Sequence, residues 1–137
     1  MGKERTEASV PGDLVLDAGA LIAFEREEED MVAIIDQAAS IEASVLIPAS
    51  ALAQAWRGGG PRSARLARLI AGTESDALDE ARAKEVGERL EVHSATDVAD
   101  VHAVCCALAQ PAVLVTSDLD DMKALAGPDE HLAVVPV

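Results

Sequence analysis

Three aspartates of the sequence stand within or beside apolar runs, where an unpaired carboxylate is costly to bury. Asp17 ends the run DLVLD, Asp118 follows AVLVTS, and Asp100 lies inside TDVADVHAVCCALA. Carboxylates that cluster repel one another unless a divalent cation holds them, and ligands that are all oxygen favour Mg²⁺ or Mn²⁺ over zinc. If the fold brings the three together, they predict a metal site that activates water against a phosphodiester.

Each of these acids also has a plain structural interpretation. Asp17 and Asp118 each lie between a predicted strand and a predicted helix, where an aspartate commonly caps the helix or forms a turn. Asp97, one turn before Asp100, is suited to the start of a helix, where it favours the helix dipole and could complete a capping box with Ser94. The three acids together are a more specific indication of a metal site than any one of them.

The elements that must position these acids alternate between strands and helices. Short apolar runs predict four strands, and apolar residues at helical spacing predict seven helices. The predicted strands are DLVLD, ending near Asp17, and residues 44–48, 112–118 and 131–137. The predicted helices are residues 20–24, 30–43, 49–57, 61–71, 77–90 and 120–125, and a helix in SATDVADVHAVCCALAQP that Ser94 or Thr96 caps and Pro111 stops.

Strands that are continuous apolar runs and are separated by helices are typical of a parallel sheet covered on both faces. We therefore predict an α/β fold, a three-layer sandwich with a central, mostly parallel sheet. The chain has 137 residues, half of them apolar, which suits one domain with a polar lead at residues 1–12. Ligands of such sheets bind beyond the carboxyl ends of the strands, so Asp17 and Asp118 are expected at the same rim.

The composition limits the kinds of partner and the compartment. A formal charge of −14 opposes long-range attraction of nucleic acid, although it leaves room for a local basic groove. Phe24 and Trp56 are the aromatic side chains, too few to stack successive bases. Cys105 and Cys106 are adjacent, which predicts small apolar side chains in a reducing compartment and no disulfide framework. No run is long enough to span a membrane and the N-terminus is too polar for a signal peptide, so a cytoplasmic protein is expected.

Four motifs follow one another in an order and spacing that resemble a known family. They are LDAGALIAF, IPASALAQAWRGG, TDVADVHAVCCALA and VLVTSDLDDMKALA. From Asp13 onward the chain is similar to PIN-domain ribonucleases, and most closely to the VapC toxins of type II toxin–antitoxin modules. The resemblance implies a PIN-like fold and a Mg²⁺- or Mn²⁺-dependent endoribonuclease, a family in which transfer RNA is a frequent target.

In that family, four acidic positions form the metal site. The resemblance implies that the first is Asp17, the third is Asp100 with Asp97 nearby, and the fourth is Asp118, with Asp120 or Asp121 as helpers. The second position falls on Gln54, an amide where the family usually has glutamate. An amide oxygen can touch a metal or orient water, but it adds no charge, so affinity for a second ion in particular should fall.

Gln54 therefore leaves several interpretations open. The chain is a weakened but active nuclease in which Gln54 orients water, or a PIN module that has lost catalysis and acts through protein binding. A third interpretation is a substitution made deliberately to silence a toxin. If the motif is misplaced along the helix, Gln54 is an ordinary surface residue. A receiver-like phosphoacceptor is a further class, but its lysine would follow a late strand, whereas Lys123 lies in a helical run.

Four arginines lie on either side of a glycine run at residues 58–60. They are Arg57, Arg62, Arg65 and Arg68, and the last three recur at every third residue along one side of a predicted helix. Such a run is usually a solvated helix face. Beside an acidic pocket, the same run could hold an RNA backbone, and a dimer contact is the third interpretation.

The resemblance also implies protein partners. It implies a homodimer and a cognate antitoxin of the VapB type, whose C-terminal segment wraps the toxin and often places an arginine or lysine in the acidic pocket. The strong negative charge of the chain fits a basic partner segment. The histidines, His93, His102 and His131, form no recognisable ligand set, and His102 is interpreted as a structural or surface residue.

Overall fold

The computed structural model describes residues 12–128 and 130–137, in which five strands alternate with seven helices. The strands are β1 (Asp13–Leu16), β2 (Val45–Pro48), β3 (Glu74–Asp76), β4 (Ala112–Thr116) and β5 (Val134–Pro136). The helices are α1 (Ala18–Glu25), α2 (Glu29–Ser40), α3 (Ala49–Ala55), α4 (Gly60–Ala71), α5 (Glu80–His93), α6 (Val98–Ala109) and α7 (Leu119–Ala124). The predicted polar lead, apart from Gly12, lies outside the described residues. Among the helices described, none is long and apolar enough to cross a membrane.

The five strands run parallel in one sheet, in the order β3-β2-β1-β4-β5. The chain places β2 and β3 on one side of β1 and then returns to place β4 and β5 on the other side. The strand order therefore reverses between β1 and β4, which pair as far as Leu16 with Val115. Asp17 follows β1 directly and Asp118 comes two residues after β4, so both acids stand where such sheets bind their ligands.

Helices cover both faces of the sheet because the strand side chains alternate between two cores. Leu14 and Leu16 belong to the core that also contains residues of α1 to α4, whereas Val15 belongs to the core with residues of α5 to α7. Every residue of β4 is buried, as expected for a strand covered on both faces. The predicted three-layer sandwich is confirmed, and the sheet, predicted to be mostly parallel, is parallel throughout the described residues.

Strand β3 is the element that the sequence pattern does not predict. Its residues, Glu74–Asp76, are polar or charged, and they form a strand by pairing with β2 at the edge of the sheet. The following helix was predicted to start at Ala77, but α5 begins at Glu80. Asp79 caps that helix by accepting the N–H of Arg82 at 2.9 Å.

The start of α6 also differs from the prediction. Its cap is Asp97, whose carboxylate accepts the N–H of Asp100 at 3.0 Å, so the caps predicted at Ser94 or Thr96 are wrong. Ser94 instead ends α5 in the left-handed conformation, with φ 51°. The other helices begin and end within one turn of their predicted bounds.

Candidate functional site

Asp17 lies buried at the carboxyl end of β1. Its carboxylate caps α1 by accepting the N–H of Ala20 at 2.8 Å, so the capping role expected of such an aspartate is present. Burial raises the pKa of Asp17, hydrogen bonds from Thr116 and Ala20 oppose the rise, and the charge of Asp118 adds to it. Asp17 and Asp118 therefore act on each other across the reversal between β1 and β4.

Asp118 is held by the last residue of β4. The buried Thr116 accepts the backbone N–H of Asp118 on Oγ1 at 2.9 Å, and the same side chain lowers the pKa of Asp17. Thr116 therefore lies beside both acids. Within the described part of the chain, the Asp118 carboxylate makes no capping bond to α7. Desolvation and the neighbouring carboxylates of Asp121 and Asp120 raise its pKa.

Asp100 lies half-buried in the first turn of α6 and is influenced by four other acids. Burial, and then the charges of Asp97, Asp17, Asp118 and Asp121, raise its pKa to about 6. Since the interaction between charges falls with distance, these effects indicate that the aspartates singled out in the sequence lie in one neighbourhood, within electrostatic range of Asp100. We call these five residues the acidic rim.

The donor chemistry of the acidic rim fits a hard divalent cation. All of its side-chain donors are carboxylate oxygens, which Mg²⁺ and Mn²⁺ prefer. Residues 12–128 and 130–137 supply no Lys or Arg ion pair to these acids. Carboxylates that raise one another's pKa are stabilised in their charged form by a cation between them. The acidic rim is therefore suited to binding a divalent cation.

The backbone approaches closely on the other side of Asp17. A Cβ added to Gly19 would collide with Oγ of Ser117 and lie 3.2 Å from its Cβ. A larger residue at position 19 would therefore force the Ser117 hydroxyl into another rotamer and crowd its Cβ, next to Asp118. Gly19 and Thr116 are residues of the site that the sequence reasoning did not identify. A hydroxyl that ends a wholly apolar strand was the available signal for Thr116.

Gln54 lies exposed in the last turn of α3. Helix α3 packs against α1, which Asp17 caps, and against α6, which carries Asp100. Gln54 therefore belongs to a helix that contacts both helices of the acidic rim. Its contact with a metal or with water stays a prediction.

The four arginines occupy different environments. Arg57, Arg62 and Arg68 are exposed. Arg65 is half-buried, and its Nε donates to the carbonyl of Glu25 at 2.8 Å while a terminal nitrogen lies 3.3 Å from a carboxylate oxygen of Glu27. Arg65 thus ties α4 to the end of α1, and the role of the four in binding RNA stays a prediction.

A second group of polar side chains lies beside β3. His102 of α6 is fully buried, with Nδ1 2.5 Å from Oγ of Ser50 and Nε2 2.8 Å from Oδ1 of Asp76. Arg82 donates to both carboxylate oxygens of Asp76, each at 3.0 Å. We call Ser50, His102, Asp76 and Arg82 the buried network. Of the two interpretations of His102, the structural one is correct.

Asp76, His102 and Cys106 have ligand atoms within 4.8 Å of one another, a spacing that could hold a metal ion. Their neighbours oppose this use. Burial by itself raises the pKa of Asp76, but hydrogen bonds from Arg82 and His102 lower it to about 2, so this carboxylate already has its cation. Burial also raises the pKa of the Cys106 thiol, which disfavours the thiolate that a metal requires. The acidic rim is the better candidate metal centre.

A parallel sheet between two layers of helices, with acids at the strand reversal, is the architecture of a PIN-like fold. Fourteen chains of solved structures match this chain. Among them is a chain of the crystal structure of VapBC2 from Rickettsia felis bound to a DNA fragment from its promoter. The TM-score is 0.67 at 16% identity, over 90% of this chain and 98% of that chain. No protein-family model and no curated protein matches the sequence. At this identity the likeness shows the fold, and the predicted PIN-like fold is confirmed.

Proposed function

We propose that the chain is a metal-dependent endoribonuclease of the VapC type. The observation that carries the proposal is the convergence of Asp17, Asp100 and Asp118 at the strand reversal of a PIN-like fold. The mutual repulsion of these carboxylates is the property that a divalent cation would relieve. The likeness to a chain of a VapBC structure supports the same class of protein.

The residues of the acidic rim have distinct roles in this proposal. Asp17, Asp100 and Asp118 would hold Mg²⁺ or Mn²⁺, with Asp97 beside them as the cap that orders the first turn of α6. When bound, the ion would orient an attacking water and neutralise charge on the scissile phosphate. Thr116 would order the backbone at Asp118 beside Asp17, and Gln54 would orient the water from α3.

The substrate is proposed to be a structured RNA, with transfer RNA as the first candidate. The exposed arginines Arg57, Arg62 and Arg68 would contact its phosphates, and Arg65 would contribute less because Glu27 already neutralises it. Contacts of this kind position a backbone without reading its sequence. The shape of the groove would then decide which bond is cut.

The proposed protein partners are a second copy of the chain and a cognate antitoxin of the VapB type. A basic segment of the antitoxin would be attracted by the net charge of −14 and by the acidic rim. An apolar groove of about 590 Å³ between α1, α2 and α4 would accept the apolar face of an antitoxin helix. Its apolar lining is Phe24, Val32, Ala33 and Ile35.

A PIN-like module without catalysis, acting through protein binding, is the second candidate. Gln54 favours it, because the amide brings no charge to the position where the resemblance implies an acid. The two candidates share the fold and the protein partners. They differ in whether RNA is cut.

The deciding experiment is cleavage of a mixed pool of structured small RNAs by the purified chain in Mn²⁺. Asp17→Asn and a sample treated with chelator are the controls, and Gln54→Glu is tested alongside. Cleavage that requires metal and Asp17 supports the nuclease. Cleavage by Gln54→Glu alone supports a silenced site, and no cleavage by either supports the binding module.

A further inference from the structure

The buried network connects four elements by one chain of hydrogen bonds. The ionised carboxylate of Asp76 only accepts, so Nε2 of His102 carries the proton that it donates to Asp76. The other ring nitrogen, Nδ1, hydrogen-bonds the hydroxyl of Ser50. These bonds join α3, α6, β3 and α5 through Ser50, His102, Asp76 and Arg82. Each buried polar group of the network therefore has a partner.

Helix α3 packs against α1 and α6, with Leu52 partly buried against the core, and the hydrogen bond of Ser50 adds a directional polar contact to this packing. It has seven residues, too few to be stable without tertiary contacts, and its buried side chains are the small ones of Ala51 and Ala55. Ser50 and Gln54 are four residues apart and therefore lie on the same face of α3. The hydrogen bond between Ser50 and His102 thus acts together with this packing to fix the position of α3 along α6.

We propose that the buried network is a positioning device for the metal site, in which Ser50, acting through His102, places Gln54 relative to Asp100. His102 follows Asp100 by two residues on α6, so one bond sets the position of α3 against the helix that carries the acid. This inference rests on the proposed function. It assigns a role in metal binding to residues that touch neither the metal nor RNA.

Direct binding of Mn²⁺ by the full-length chain is the first readout, measured by the electron paramagnetic resonance signal of free Mn²⁺ during a titration. Ser50→Ala removes the hydroxyl that pairs with His102 and is expected to weaken Mn²⁺ binding by up to about fivefold, the most that the loss of one neutral hydrogen bond could transmit. Ser50→Thr keeps the hydroxyl and is expected to restore binding and RNA cleavage. Unchanged binding in Ser50→Ala, or failure of Ser50→Thr to restore it, overturns the inference.

A double-mutant cycle tests whether Ser50 acts through Gln54. In a Gln54→Ala background, Ser50→Ala is expected to weaken Mn²⁺ binding no further, because the residue that it places is gone. Equal weakening in both backgrounds would show that Ser50 acts by another route and would overturn the inference.

A matched variant separates positioning from a general loss of stability. Glu130→Gln removes a charge that Arg89 contacts at 2.9 and 3.0 Å, outside both the buried network and the acidic rim. It is expected to lower the melting temperature without changing Mn²⁺ binding, and an equal loss of binding in this variant overturns the inference. If the wild-type chain neither binds Mn²⁺ nor cuts RNA, the proposed function fails and the inference with it. If it does both and Ser50→Ala binds equally well, only the inference fails.

Discussion

The acidic rim and the buried network each contain a partly buried aspartate, but the pKa values of these two residues move in opposite directions. Burial tends to raise both. At Asp100 the charges of Asp97 and its neighbours add to burial, and the pKa rises to about 6. At Asp76 hydrogen bonds from Arg82 and His102 outweigh burial, and the pKa falls to about 2. An aspartate that the chain supplies with a cation is a structural residue, whereas one surrounded by other acids is a candidate for binding a cation from solution.

The largest expected effect is on activity at the acidic rim. Asp100→Asn removes a proposed metal ligand, so Mn²⁺-dependent RNA cleavage should fall by at least about 100-fold. The same variant should make the metal-free protein more stable, because it removes a carboxylate that its neighbours repel. Single-turnover cleavage and thermal unfolding without metal measure the two effects. If the metal-free variant is less stable than wild type, the carboxylates of the acidic rim do not repel one another as proposed.

In the buried network, replacing an aspartate with asparagine should destabilise the protein rather than stabilise it. Asp76→Asn leaves Arg82 without its carboxylate and should lower the free energy of unfolding by about 2–3 kcal/mol, less than for a fully buried pair because both side chains are about one-fifth exposed. Urea denaturation measures the loss. Lys84→Gln, which breaks the exposed pair with Glu80, is the control and should cost less than about 1 kcal/mol. An equal loss of unfolding free energy in Asp76→Asn and Lys84→Gln would show that the pair of Asp76 and Arg82 is no stronger than an exposed pair.

In the metal-free protein, Asp100 and Asp76 should affect stability over different ranges of acid pH. Asp100 has its pKa raised from 3.8 to about 6, so its repulsion is relieved as the pH falls from 7 toward 4, and the stability advantage of Asp100→Asn should shrink there. Asp76 has its pKa lowered from 3.8 to about 2, so its stabilisation is complete above about pH 4 and lost as the pH falls toward 2. Unfolding free energies of wild type and both variants against pH give the two windows. Differences independent of pH would show that neither shift exists.

The smallest expected effect concerns the close approach of Gly19 and Ser117. Gly19→Ala should cost about 1 kcal/mol of stability and weaken Mn²⁺ binding a few-fold, because its Cβ forces the Ser117 side chain, next to Asp118, to rotate and shift. Adding Ser117→Gly should recover most of both losses by clearing the space. Gly87→Ala, whose Cβ would meet nothing within 4 Å, is the control and should leave Mn²⁺ binding unchanged.

The part of the site that follows from local patterns was predictable from the sequence. The apolar runs before Asp17 and Asp118 indicated strands, and parallel strands present their carboxyl ends at one rim, so the meeting of these acids followed from the predicted sheet. Strand β3 carried no such pattern, because Glu74–Asp76 has no apolar run and becomes a strand by pairing with β2. The place of Asp76 in the structure was therefore not predictable.

The buried network could not be predicted from the sequence for a related reason. His102 meets Asp76 across 26 positions of the chain and Ser50 across 52, and each residue has ordinary alternatives as a cap, a turn or a surface residue. Motifs and periodicity relate residues that are near in sequence. They carry no information on which distant polar groups satisfy one another once they are buried.

The amino-acid pattern is enough to define the α/β architecture and the acids at the ends of β1 and β4, because alternating strands and helices leave few ways to bury their apolar faces. Tertiary structure alone decided which carboxylate received a cation. Arg82 reaches Asp76, whereas within the described residues the acidic rim receives no Lys or Arg partner. The charge state of an aspartate depends on burial and on neighbours within a few ångströms, and the packing of distant segments supplies both.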